Sequence, residues 1–132
     1  MTVTRVLFLS ALVALVAACK TPPMARELSD AVDGARARLT PGQDLIVNLD
    51  GNQSTGFRWV LTRGAGPVLT QVGEPEYVQR AAEGRLAGGG GVTTYRFKGG
   101  ERGETQLVFN YRRPWEVNLP PAKTVRFDIR VE

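Results

Sequence analysis

The sequence contains no histidine, only one cysteine, and no run of like charge. Without histidine there is no Ser-His-Asp triad, no Cys-His dyad, no imidazole base and no imidazole metal ligand. One cysteine, Cys19, permits no internal disulfide and no thiolate zinc site. The net charge of +4 is spread along the chain rather than gathered into a basic stripe with interleaved aromatics, so no nucleic-acid footprint is present. Carboxylates such as Asp44, Asp50, Glu74, Glu76 and Glu83 are scattered, and nothing in their spacing pairs them for acid–base chemistry. The sequence therefore predicts neither an enzyme nor a bound metal or cofactor. Its 132 residues allow one domain, and 42% hydrophobic residues are enough to build a core.

The first residues read as an export signal. One positive charge, Arg5, precedes a nearly continuous apolar run from Val6 to Ala18, which stops at Cys19. As a helix this run rises about 20 Å, short of the ~30 Å hydrocarbon core of a bilayer. The pattern fits a secretory signal peptide with small residues before the cut. Val16-Ala17-Ala18-Cys19 also resembles the lipobox of bacterial lipoproteins. That resemblance implies a lipid on the Cys19 thiol and cleavage just before it. The alternative is an ordinary signal peptide with a chance cysteine; an unpaired cysteine in an exported protein favours the lipid. Residues 1–18 are then the signal peptide, residues 19–33 the lipidated cysteine and a tether, and residues 34–132 the domain. The expected location is the bacterial cell envelope. Lys20, standing where an Asp would mark inner-membrane retention, leans towards the outer membrane.

Lys20 to Asp33 holds Pro22-Pro23 and weak periodicity, and reads as a spacer or a turn or two of helix around Leu28 and Val32. From Gly34 onward the apolar period is two. The alternating sets are Ala35/Ala37/Leu39, Leu45/Val47/Leu49, Phe57/Trp59/Leu61, Tyr95/Phe97, Leu107/Phe109/Tyr111 and Val125/Phe127/Ile129/Val131. These are strands with one buried and one wet face. Two weaker strands are expected at Val68–Val72 and Glu76–Arg80, with Pro75 confining the second to an edge or a bend. Seven or eight short strands punctuated by Gly and Pro predict an all-β, antiparallel sandwich or barrel. Phe57, Trp59, Tyr95, Phe97, Leu107, Phe109 and Phe127 should dominate its core.

Three segments depart from the strand pattern. Asn52-Gln53-Ser54-Thr55-Gly56 joins two good strands and is either a plain turn or a presented loop. Gly88-Gly89-Gly90-Gly91 forfeits backbone entropy and contributes no packing. It is either a flexible connection or a backbone that approaches another molecule closely. No helix start or Lys follows it, which argues against phosphate binding. Arg112-Arg113-Pro114-Trp115 ends a strand at Pro114 and leaves Trp115 in a loop. Trp115 is either a binding hot spot or a lid folded back on the end of the sandwich.

Taken in order, NQSTGFRW at Asn52–Trp59, the glycine tract and Arg113-Pro114-Trp115 resemble the three signature loops of the chagasin family. Members are proteinaceous inhibitors of papain-like cysteine peptidases. Their pattern runs Asn-Pro-Thr-Thr-Gly-aromatic-x-Trp, then Gly-x-Gly-Gly, then Arg-Pro-Trp, and the resemblance spans roughly Arg36 to Val131. It implies an immunoglobulin-like β-sandwich whose three loops form a wedge. Asn52, Ser54, Thr55, Gly56 and Phe57 would enter the middle of the peptidase cleft. Leu86, Ala87, Gly88, Gly90 and Gly91 would line its non-primed side. Arg113, Pro114 and Trp115 would cover its primed side. Inhibition would be reversible occlusion by a monomer, with no covalent bond. Gln53 stands where Pro is usual and Ser54 where Thr is usual, which predicts a less rigid first loop. The competing expectation is a lipid-anchored adhesion or envelope assembly module with no peptidase target.

Overall fold

The computed structural model describes residue 21, residues 23–80 and residues 89–132; Cys19, Leu86, Ala87 and Gly88 lie outside these described residues. The described residues form nine strands: β1 (Arg26–Ser29), β2 (Arg36–Leu39), β3 (Asp44–Gly51), β4 (Arg58–Arg63), β5 (Leu69–Gln71), β6 (Glu76–Gln79), β7 (Gly91–Gly99), β8 (Gly103–Arg112) and β9 (Lys123–Val131). Two 3-10 turns lie at Asp30–Val32 and Gln53–Thr55. One sheet runs β1-β3-β7-β5, with β6 also on β7; the other runs β2-β9-β8-β4. The expected β-sandwich is present.

The period-two pattern sets the packing. Leu45, Val47 and Leu49 of β3, Phe97 of β7, Leu107 and Phe109 of β8, and Phe127 and Ile129 of β9 are all buried between the sheets. Phe109 bridges the layers, 5.0 Å from the Tyr95 ring centroid and 6.3 Å from those of Phe97 and Phe127. Each such ring contributes about 1.5–3 kcal/mol by leaving water. The polar tips are satisfied: the Tyr95 hydroxyl donates to Trp59 O at 2.9 Å, and Trp59 Nε1 donates to Asp50 O at 2.9 Å. Pro75 acts as expected. β5 and β6 pair with the same edge of β7 and are broken around it.

Two findings differ from the sequence reading. Arg26–Ser29 is a strand of the sandwich rather than a spacer or helix, with Leu28 buried at 8% exposure against β3. Its backbone finds partners on the open edge of β3, which offsets the poor strand pattern of its side chains. Two pairs, β1 with β3 and β2 with β9, are also parallel. The chain runs up one sheet as β1 and crosses at Gly34, whose φ of 81° is left-handed. It returns down the other sheet as β2. The crossing is pinned by Asp33 Oδ1, which accepts from Arg126 N at 2.8 Å, and by Gly34 N, which donates to Arg126 O at 2.7 Å.

Candidate functional site

Strand register brings the three irregular segments to one pole. Gly91 opposes Gly51 on one side and Gln79 on the other, so the β3 exit, the β6 exit and the β7 start coincide. In the second sheet Arg58 opposes Arg112, and Tyr111 opposes Lys123. The β3–β4, β6–β7 and β8–β9 connections therefore all open at the same end.

The first loop is a capped turn. Asn52 is extended, at φ −128° and ψ 101°, and its side-chain oxygen accepts from Ser54 N at 3.1 Å. That is the cap chemistry asparagine supplies. The same oxygen accepts from the Ser54 hydroxyl at 2.6 Å, while the Thr55 hydroxyl donates to Asn52 O at 2.7 Å. Both hydroxyl protons are thus committed inward, and Ser54 and Thr55 stay exposed. Gly56 closes the turn at φ 85°. A Cβ there would also overlap the Trp115 indole. Below the turn, the Tyr111 hydroxyl accepts from Asn52 N at 2.8 Å and ties the loop to the second sheet.

The third loop reaches across to the first. Arg113 Nε donates to Thr55 O at 3.1 Å, and its guanidinium carbon lies 4.5 Å from the Phe57 ring centroid. Phe57 in turn stacks on Tyr111 at 5.0 Å. Arg113 Nη1 also pairs with Glu116 Oε1 at 3.2 Å. Trp115 rests its ring edge on Gly56 yet is 68% exposed, whereas Trp59 is 5% exposed. Trp115 is therefore neither core nor a closed lid.

The second connection is described only at its base. Arg80 N donates to Gly90 O at 3.0 Å, and Arg80 Nη2 pairs with Asp50 Oδ1 at 2.5 Å. Gly91 fits where no side chain would, because a Cβ would overlap Val78 O and the Tyr77 ring.

Among the residues the sequence singled out, Asn52, Ser54, Thr55, Gly56, Phe57, Arg113, Pro114 and Trp115 are brought together, with Gly90 and Gly91 beside them on the β3 edge. Phe57 is corrected in one respect. It is half-buried and belongs to the loop cluster, not to the core, because Tyr111 and Arg113 occupy its faces instead of the opposite sheet. Sequence reasoning missed Tyr111 and Glu116. Tyr111 reads as one more inward strand residue, and its hydroxyl at the strand end was the available signal. Three of the scattered carboxylates, Asp44, Asp50 and Glu76, are paired with Lys98, Arg80 and Arg96. No cluster of acidic or cysteine side chains fit for a metal occurs among the described residues.

A family model described as "Chagasin family peptidase inhibitor I42" matches residues 38–131. The chain belongs to the chagasin family. It is 32% identical to Amoebiasin-1 of Entamoeba histolytica over 93 residues, which is 70% of this chain and 84% of that protein. The crystal structure of the cysteine protease inhibitor EhICP2 from Entamoeba histolytica matches with a TM-score of 0.75 at 19% identity, over 85% of this chain and 100% of that one. PbICP-C, solved in complex with falcipain-2, matches with a TM-score of 0.61 at 19% identity, over 83% of this chain and 100% of that one. At those identities the two structures speak for the fold. The family is one of peptidase inhibitors, and this chagasin-family chain is an inhibitor rather than an enzyme.

Proposed function

We propose that this protein is a reversible, non-covalent inhibitor of papain-like cysteine peptidases and that the pole with the three loops is its inhibitory wedge. The observation that carries the reading is the bracing of the first loop by the third, through Arg113 on Thr55 O and Trp115 on Gly56. A surface braced before docking loses little loop entropy on binding, and such interfaces reach high affinity at an ordinary size of about 1,600 Å². Ser54 and Thr55, at the tip, enter the centre of the cleft. Their hydroxyl protons are already donated inward, so their oxygens meet the enzyme as acceptors, with no strained or well-aimed scissile carbonyl. Leu86, Ala87, Gly88, Gly90 and Gly91 follow the non-primed side with backbone bonds. Arg113, Pro114 and Trp115 cover the primed side, where exposed Trp next to Arg has hot-spot composition. The test is competitive inhibition of papain and related peptidases by residues 20–132, with the inhibitor recovered uncleaved. Absence of inhibition at micromolar concentrations of the folded domain rejects the proposal.

Cys19 is proposed as the lipid-bearing residue, on the sequence Val16-Ala17-Ala18-Cys19. Several acyl chains, at about 0.8 kcal/mol per buried methylene, would hold the inhibitor at the cell envelope. The outer membrane is the proposed site on account of Lys20. Mass spectrometry of the membrane fraction tests this, and a soluble, unmodified product refutes it.

A further inference from the structure

We infer that Glu116, just beyond the Arg-Pro-Trp segment, is the positioning residue that fixes the pose of Trp115 and couples the third loop to the first; the inference rests on the inhibitory reading of these loops. Arg113-Pro114-Trp115-Glu116 is a four-residue turn closed by Glu116 N donating to Arg113 O at 3.1 Å. Proline at its second position presets the backbone, and Trp115 occupies the third, the tip. A side chain at the tip of a turn is only as fixed as the ends of that turn.

Glu116 anchors the far end three times. Its N–H closes the turn. Its carbonyl accepts from Arg112 Nη2 at 2.6 Å, and its carboxylate pairs with Arg113 Nη1 at 3.2 Å. Arg112 is the last residue of β8 and Arg113 the first beyond it. Glu116 engages both, one through its backbone and the other through its side chain. Arg112 Nε is buried with no hydrogen-bond partner, so this guanidinium accepts a desolvation cost while its Nη2 holds the loop.

The Arg113–Glu116 pair is also better placed than an ordinary surface pair. The side chains are 37% and 29% exposed, against 47% or more for both partners in every other ion pair among the described residues. Partial exclusion of water strengthens a charge-assisted bond and weakens its screening by salt. Through Arg113 the carboxylate governs the bond to Thr55 O and the contact with Phe57. Freed of Glu116, the guanidinium has fewer constraints, and the link between the loops loosens at the side chain that meets the peptidase.

The decisive experiment compares Glu116→Gln and Glu116→Ala, each alone and with Arg113→Ala, against papain. Glu116→Ala is expected to raise the inhibition constant about tenfold, with Glu116→Gln intermediate. In the Arg113→Ala background the Glu116 change should add less than about twofold. An unchanged inhibition constant, or an equal tenfold loss in both backgrounds, overturns the inference; the second result would mean that Glu116 touches the enzyme directly. A readout without peptidase runs alongside. The Trp115 indole N–H should show a lower NMR order parameter in Glu116→Ala than in the parent, and in Glu116→Gln if the alanine variant does not fold. Equal order parameters overturn the inference. If the parent fails to inhibit, the inhibitory reading falls while the NMR comparison still decides the role of Glu116.

Discussion

Trp59 and Trp115 are the same residue type in opposite settings, one buried and one exposed. Trp59 is pinned by its indole N–H on Asp50 O and by the core around it. Trp115 rests on Gly56 and leaves 68% of its surface exposed. Trp115→Ala should therefore weaken inhibition of papain at least about thirtyfold and leave the melting temperature within ~2 °C of the parent. Trp59→Ala should cost about 3–5 kcal/mol in denaturant unfolding. The two placements, one in the core and one in a loop, were legible in advance. Trp59 sits in alternation with Phe57 and Leu61, while Trp115 follows a proline that ends its strand. Phe57 shares the alternation and still leaves the core, because the partners that claim it, Tyr111 and Arg113, are distant in sequence and no local pattern announces them. Position 53 offers a gain. Asn52 already holds the extended conformation that a following proline demands, and no bond from the Gln53 N–H is found among the described residues. Gln53→Pro should raise stability by about 0.4–1 kcal/mol in chemical denaturation and lower the inhibition constant, through a less flexible unfolded chain and a stiffer loop.

At the scale of elements, the long strands were legible and the short first one was not. β3, β8 and β9 each carry three or more alternating apolar residues, and β7 carries the aromatic pair Tyr95 and Phe97, so their two faces are encoded locally. Arg26-Glu27-Leu28-Ser29 offers only Leu28, and its status as a strand comes from the vacant edge of β3, an element that follows it in the chain. The parallel sense of that pairing depends on the crossing at Gly34, which local periodicity does not report. A chain beginning at Gly34 should consequently fold with a deficit of roughly 2–3 kcal/mol, from the lost burial of Leu28 and the bared edge of β3. Urea unfolding against the chain beginning at Lys20 measures it. Equal midpoints would restore the segment to a mere spacer.

At the scale of the whole molecule, the aromatic core links stability to pH. Burial pushes the Tyr95 hydroxyl above its ordinary value of 10.0. The folded state then keeps this proton at pH values where the unfolded chain has begun to release it. The associated stability is complete below pH 10 and declines as pH rises above it. Tyr95→Phe should flatten that alkaline decline in urea titrations at several pH values, at the cost of the bond to Trp59 O.

The parallel seat of β1 on β3 also sets the end of the sandwich at which the chain enters the domain. Arg26 lies beside Leu45, at the opposite end of β3 from Gly51 and the loops, and Gln43 Nε2 clasps Met24 O there at 2.7 Å. Only the five links from Cys19 to Met24 remain as a leash, about 17 Å when taut. A lipid on Cys19 would plant the molecule on its blunt end, with the Trp115 tip a strand's length of roughly 25 Å higher and turned to the open fluid. Vesicle-bound full-length inhibitor should accordingly titrate soluble papain with the same stoichiometry and inhibition constant as residues 20–132. A bound form that floats with vesicles but fails to titrate the enzyme would mean that the molecule lies with its working end against the bilayer.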